Sequence, residues 1–317
     1  MDATRLALMA VALPVPPKAA NVSAVSQLRF FQATVSGHSC QTPQYSKANS
    51  RIIIGAHHKA GTMATHVFFE HWAMRNGKSW QWFWLQCPAS CSNSAAEMCF
   101  QHDVHVAQMQ TELPRMYSRF VHVVRDPLEM ILSAYQYHVL NRQELHWFNT
   151  SLENRFNQIP ERCYLTRWRT AGVPPSVPYF EFVRAAGRRA GLLQLAQDVL
   201  DGFIADMDEV ARQTSGCAWV YVLREEDFVT QDPAEVAKLL RFLGDDPAKV
   251  TQRAEQHLEW FQSIGMNKIH QIGPHHESPV SEKDELRLII AQDPIVCART
   301  QASQRVHGYA PMRCLPQ

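Results

Sequence analysis

The sequence predicts an α/β protein built on a mostly parallel sheet. Three observations carry this. Ile52 to Ile54 form an unbroken β-branched run that leads through a short loop into helically spaced apolar residues. Phe120 to Val124 repeats the arrangement, and Trp219 to Leu223 reads as a late strand ahead of another helix. The unbroken isoleucine run suits a strand covered on both faces, as parallel strands are, and Phe120 to Val124 reads as another buried strand.

The first unit, residues 51–69, reads RIIIGAHHKAGTMATHVFF. After the loop, Met63, Val67, Phe68 and Trp72 fall at helical spacing. The loop therefore ends at a helix N-terminus, where free N–H groups and the helix dipole attract an anion. Gly61 permits close backbone approach, Lys59 adds a cation and Thr62 a hydroxyl. An ordinary βα turn would carry a similar pattern. The loop is not a nucleotide P-loop, which ends Gly-Lys-Ser/Thr: here the lysine precedes the glycine, and only Gly55 could lead. Asn76-Gly77 should end the helix.

Trp80, Trp82 and Trp84 then alternate, predicting a strand with three indoles on one side. A core-facing strand explains them; so does the wall of an acceptor pocket. Cys87, Cys91, Cys99 and His102 follow closely. They match no paired CxxC zinc pattern, so free thiols or a local disulfide fit better than a zinc site. MCFQHDVHV reads as a strand ending at the site edge, followed by a helix-like stretch to about Tyr117.

The second unit spans residues 119–140. Asp126 sits where an N-cap belongs, Pro127 at the first helical position and Glu129 in the first turn. Leu128, Ile131, Leu132, Tyr135 and Val139 make the buried stripe. Arg125 lies at the C-terminal end of the strand, where open α/β sheets bind ligands. It could equally pair with Asp126 or Glu129.

From Asn141 to Gly216 the chain reads as interrupted helix. Pro174, Pro175 and Pro178 mark a loop before a helix beginning at Tyr179. Arg162, Arg167 and Arg169 form a basic cluster that suits a solvated face or an acidic acceptor. The strand at 219–223 runs into REEDF. Pro233 then opens a helix closed by Gly244, and Ser281 with Asp284 starts the last helix, through about Ala291.

The 317 residues suffice for a large domain. Residues 1–48 read as leader and linker, and 49–317 as a single domain. The net charge of +1 gives no global bias toward nucleic acid or acidic membranes, so an anionic substrate needs local charges. No stretch reaches the roughly 20 apolar residues of a membrane span. Leu6 to Leu13, closed by Pro14, has the length of a signal-peptide core, but Asp2 offsets Arg5; a secretory signal and a frayed helix fit alike. With 8 cysteines and sequons at Asn21 and Asn149, the chain leans toward the secretory pathway or Golgi lumen, the cytoplasm being the alternative.

The Lys-x-Gly-Thr order of Lys59, Gly61 and Thr62, followed by Arg125 and, eight residues later, Ser133, resembles the paired cofactor motifs of sulfotransferases that use 3′-phosphoadenosine 5′-phosphosulfate (PAPS). The resemblance covers roughly residues 51–280. It implies a three-layer sandwich around a mostly parallel sheet, with a P-loop-like phosphosulfate-binding loop. It also implies metal-free, in-line transfer of a sulfuryl group from PAPS to a hydroxyl or amine. Lys59 would face the leaving phosphate. Ala60, Gly61, Thr62 and Met63 would cradle the phosphosulfate, and Arg125 with Ser133 the 3′ phosphate. The catalytic base would be His102, with His105 close by, or Glu70, the nearest carboxylate after the loop. His57 and His58 flank the loop and shape it.

The chain departs from the family pattern in places. Ala60 stands where Ser is usual, Met63 replaces a second Thr, and Ala64 removes an adenine-stacking aromatic. The loop at 269–281 lacks the Trp-Lys pair of the cytosolic branch. A small-molecule, carbohydrate, lipid or tyrosyl-peptide acceptor fits equally. The competing readings are a P-loop kinase or NTPase, for which the Gly-Lys order and a Walker B acid are missing, and a catalytically inactive PAP(S)-binding relative.

Overall fold

The computed structural model describes residues 51–57, 59–83, 91, 95–102, 104, 118–140, 176–229, 232–264 and 280–316. The expected leader, Trp84, the arginines at 162–169, His58, His105 and most of the loop at 269–281 lie outside the described residues.

Five strands form one sheet, in the order β2-β3-β1-β4-β5. They are β1 (Ile52–Ala56), β2 (Trp80–Phe83), β3 (Met98–His102), β4 (Arg119–Val124) and β5 (Val220–Arg224). Every pairing is parallel. Helices flank the sheet, giving the α/β architecture that the unbroken apolar strands predict.

Alternation along β1 sorts the core. Ile52 and Ile54 face a layer made by α1 (Thr62–Arg75), α7 (Pro233–Leu243) and α8 (Val250–Ile264), while Ile53 turns to the other face with Phe120, Cys99 and Val210. The helix α1 is buried over more than the predicted stripe. Phe68, Phe69 and Trp72 are fully inside, and Met63 joins them only in part. Each such side chain contributes up to about 1.5–3 kcal/mol. The helix stops as predicted, with Asn76 as its cap and Gly77 at φ 63°.

After β4 comes α2 (Pro127–Tyr135), opened by Asp126, whose carboxylate accepts from the Leu128 N–H at 2.9 Å. Its predicted stripe is buried throughout. The helix then widens into a π-helical stretch, Gln136–Leu140. Next come α3 (Tyr179–Ala185), α4 (Arg188–Asp201) and α5 (Phe203–Thr214), with a break at Gly187, where φ is 82°. These helices pack with α2, α9 (Val280–Ala291) and α10 (Pro294–Val306) in a second core cluster. The helix at 280–291 is thus not the last, as the sequence had suggested. Asp293 and Pro294 start another, Asp293 accepting from the N–H groups of Ile295 and Val296.

Cys91 is disulfide-bonded to Cys99 and Cys297 to Cys314. Cys217 is disulfide-bonded as well. The first bond removes two of the thiolates that a zinc site among Cys87, Cys91, Cys99 and His102 would need. No described helix is long and apolar enough to cross a membrane.

Candidate functional site

The strand order makes β1 and β4 neighbours, and their C-terminal ends open on one edge. That edge brings the two sequence motifs together. The Arg125 Nη1 donates to the Lys59 carbonyl at 2.9 Å.

The loop after β1 is tightly wound. Lys59 is the one non-glycine residue with positive φ among the described residues, at 67°, a conformation that costs an L-residue about 1–2 kcal/mol. Ala60 is buried, and its N–H donates to the His57 carbonyl at 2.9 Å. Gly61, at φ 68°, is the N-cap of α1 and offers no side chain to it; the first turn holds no acidic residue either. The positive end of α1 is therefore left without a capping side chain of its own. The Thr62 hydroxyl, expected to point at a ligand, donates inward to the His57 carbonyl at 3.3 Å. Met63 is half-buried.

Sequence reading missed a carboxylate here. Glu225, the first residue of the short helix α6 (Glu225–Val229), lies against the loop. A Cβ added to Gly61 would come 2.5 Å from the Glu225 Cγ and 2.8 Å from its Oε1. Only glycine fits there. The Oε2 of Glu225 forms an ion pair with the Arg125 Nε at 2.6 Å. Burial pushes the Glu225 carboxyl above its ordinary pKa, and Arg125 opposes that shift. Arg125 thus pairs with neither Asp126 nor Glu129. Glu129 is taken by Arg287 at 2.7 Å. The neighbouring Glu226 accepts from the Asp126 N–H at 3.2 Å and from the Tyr309 hydroxyl at 2.6 Å. The signal for Glu225 was an acid at the end of a strand that pairs with the Arg125 strand.

Lys59 rests over the ring of Tyr137, with Nζ 3.2 Å from the centroid. The π-helical stretch carries this tyrosine. Burial, with Arg125 adding to it, holds the lysine pKa well below the usual value. Next to Tyr137, His138 stacks on Phe180 at 4.4 Å, and burial, then Lys59 and Arg184, push its pKa well below the ordinary value.

His102 ends β3, buried and in register with Ala56 of β1, so it stands on the same edge as the loop. His105 lies outside the described residues. Glu70 is half-buried on α1, eight residues past Thr62, which puts it about 12 Å along the helix axis. Ser133 is half-buried on α2, eight residues past Arg125. Trp80 and Trp82 pack into the α1-side core with His66 and Phe100, which fits the core-facing explanation of the tryptophans. Behind the loop, the His57 and His122 rings meet through their Nε2 atoms at 3.0 Å. Burial, then His307, pushes His122 down to about 3.

No family model matches the chain, and no curated protein matches it. Among solved structures, the mouse sulfotransferase SULT7A1 complexed with PAP is similar in shape. The two share 11% sequence identity at a TM-score of 0.42, over 85% of this chain and 92% of the mouse chain. A likeness at this level says nothing of ligand or chemistry.

Proposed function

We propose that this chain transfers a sulfuryl group from PAPS to a hydroxyl or amine acceptor. The observation that carries the reading is the junction of Arg125 with the Lys59 carbonyl, since it joins a helix-start loop and a strand-end guanidinium into one anion site. The donor set fits such a group: an α1 start without a capping side chain, a cradle at Gly61 that a Cβ would fill, and two cationic side chains. PAPS, when bound, supplies the sulfuryl group and a phosphate leaving group. The N–H groups of Gly61, Thr62 and Met63, with Ala60 beneath them and Lys59 beside them, hold its phosphosulfate end. Arg125 and Ser133 hold its 3′ phosphate. An anion brought beside Lys59 opposes the downward shift that burial imposes on it. His102 takes the acceptor proton, with His105 and Glu70 as the alternative bases.

The disulfides support folding in an oxidising compartment, the secretory pathway included. The acceptor is a small molecule, carbohydrate, lipid or peptide.

Thermal shift with 3′-phosphoadenosine 5′-phosphate (PAP), against ATP with Mg²⁺, tests the site. Stabilisation by PAP without metal is expected; stabilisation by ATP alone makes this a nucleotide-binding protein of another kind. Acceptor screening with labelled PAPS then separates an enzyme from an inactive relative. His102→Ala should lower turnover by about 10²–10⁴-fold while PAP binding persists.

A further inference from the structure

Glu225 stands where an anionic ligand would need to go. Its carboxylate lies against the Gly61 backbone at the start of α1, and its Oε2 holds the Arg125 Nε at 2.6 Å. The chain thus presents its own anion to both halves of the proposed site, the helix N-terminus and the guanidinium. An ionised carboxylate left at about 4 Å from a phosphate would weaken binding by roughly a thousandfold per unit charge. Protonation removes that repulsion and releases the guanidinium together.

Resting on the reading of the site as a PAPS site, we propose that Glu225 couples ligand binding to proton uptake. As the phosphate end of the ligand arrives, the Glu225 carboxylate takes a proton from solvent and Arg125 passes from the carboxylate to the ligand. The groups around Glu225 make this the easier course. Arg125 beyond β4 and Lys283 of α9 favour its ionised form, while Glu226 beside it and Glu129 of α2 oppose it. Burial already disfavours the charge. Once Arg125 turns to the ligand, its main stabilising partner is gone. Lys59, one hydrogen bond away through Arg125, is also shifted toward its charged form when an anion binds, so the Glu225 proton is counted by difference.

Calorimetric titration of the full chain with PAP near pH 7.5, in two buffers of different ionisation enthalpy, counts the protons taken up. Glu225→Gln should take up about one proton fewer than wild type. It should also bind PAP at least about tenfold more tightly, since it carries no charge to neutralise. Equal proton uptake in the two proteins overturns the inference and leaves the site intact. Failure of wild type to bind PAP overturns the site and the inference with it; failure of Glu225→Gln alone overturns the inference only. Should Glu225→Gln fail to fold, infrared difference spectra of wild type with and without PAP decide. A new protonated-carboxyl C=O band is expected, and its absence overturns the coupling.

Discussion

His66 offers a test of how α1, which follows the loop at Lys59 to Gly61, is seated. It lies one turn into the helix, 5% exposed, boxed by Trp82 at 3.8 Å, Trp80 at 5.5 Å and Phe100 at 5.7 Å between ring centroids. Neither ring nitrogen has a hydrogen-bond partner among the described residues. Burial pushes its pKa from 6.5 down to about 4. The unfolded chain therefore binds a proton here before the folded one does, and stability is lost as pH falls from about 6.5 to about 4. At about 1.4 kcal/mol per pH unit, the full loss is roughly 3 kcal/mol, and about 2 kcal/mol of it has occurred by about pH 5. His66→Phe keeps the ring and removes the proton site. Urea unfolding, followed by tryptophan fluorescence, should put the variant within about 1 kcal/mol of wild type near pH 7.5. Near pH 5 the variant should be ahead by about 2 kcal/mol more. His122 and His257 titrate in both proteins and cancel. A difference between the two proteins that is the same at both pH values refutes the account of His66 as a buried neutral base.

Three further outcomes follow from the site and its frame. Gly61→Ala must hold φ 68° and crowd the Glu225 Cγ. It should lose at least about 1–2 kcal/mol of stability and the PAP-induced thermal shift; unchanged PAP affinity by calorimetry would place the anion elsewhere. Arg125→Ala leaves Glu225 without its counterion. With side chains 20% and 13% exposed, the loss should be about 2 kcal/mol rather than the roughly 3–5 of a fully buried pair. Adding Glu225→Gln should recover much of it, and strictly additive losses in a denaturation cycle would count against the pair. Replacing Cys297 and Cys314 by serine opens a link across 17 residues and should cost about 3 kcal/mol in denaturant; an unchanged midpoint would remove that role.

The framework was legible because its signals are local. Each of the three strand segments read from the sequence is a strand, and each lies in the parallel sheet. Asp-Pro proved useful punctuation: Asp126-Pro127, Asp232-Pro233 and Asp293-Pro294 each open a helix, the aspartate accepting from N–H groups of the first turn, while Asp246-Pro247 opens a turn ahead of the helix at Val250. Reading the third pair as the first two were read would have found α10. Arg125 and the loop were legible as neighbours because consecutive strand-to-helix units of a parallel sheet open on one edge. Side-chain direction was not legible. The Thr62 hydroxyl looks like a ligand donor in sequence, but the His57 carbonyl sits within its reach. Glu225 drew no reading from the sequence because its partners are 100 and 164 residues away in number, and only the β4–β5 pairing, with Val124 opposite Arg224, brings it to Arg125.

These facts change how the proposed site would hold an anion. With Ala60 and Met63 in place of hydroxyl residues and Thr62 turned inward, the loop offers mainly backbone N–H groups, a helix dipole and Lys59. Hydroxyl donors would bind an anion at little cost in charge. In the proposed site the compensation would come from side chains that have resting partners: Arg125 on Glu225, Lys59 on the face of Tyr137. Both partners are supplied from outside the loop, by the end of β5 and by the π-helical stretch after α2. The affinity of such a site is set by the difference between the resting pairs and the ligand pairs, not by the loop alone. That is why a motif confined to residues 59–63 describes the cradle but not its selectivity, and why the residues that tune it lie on β5 and beyond α2.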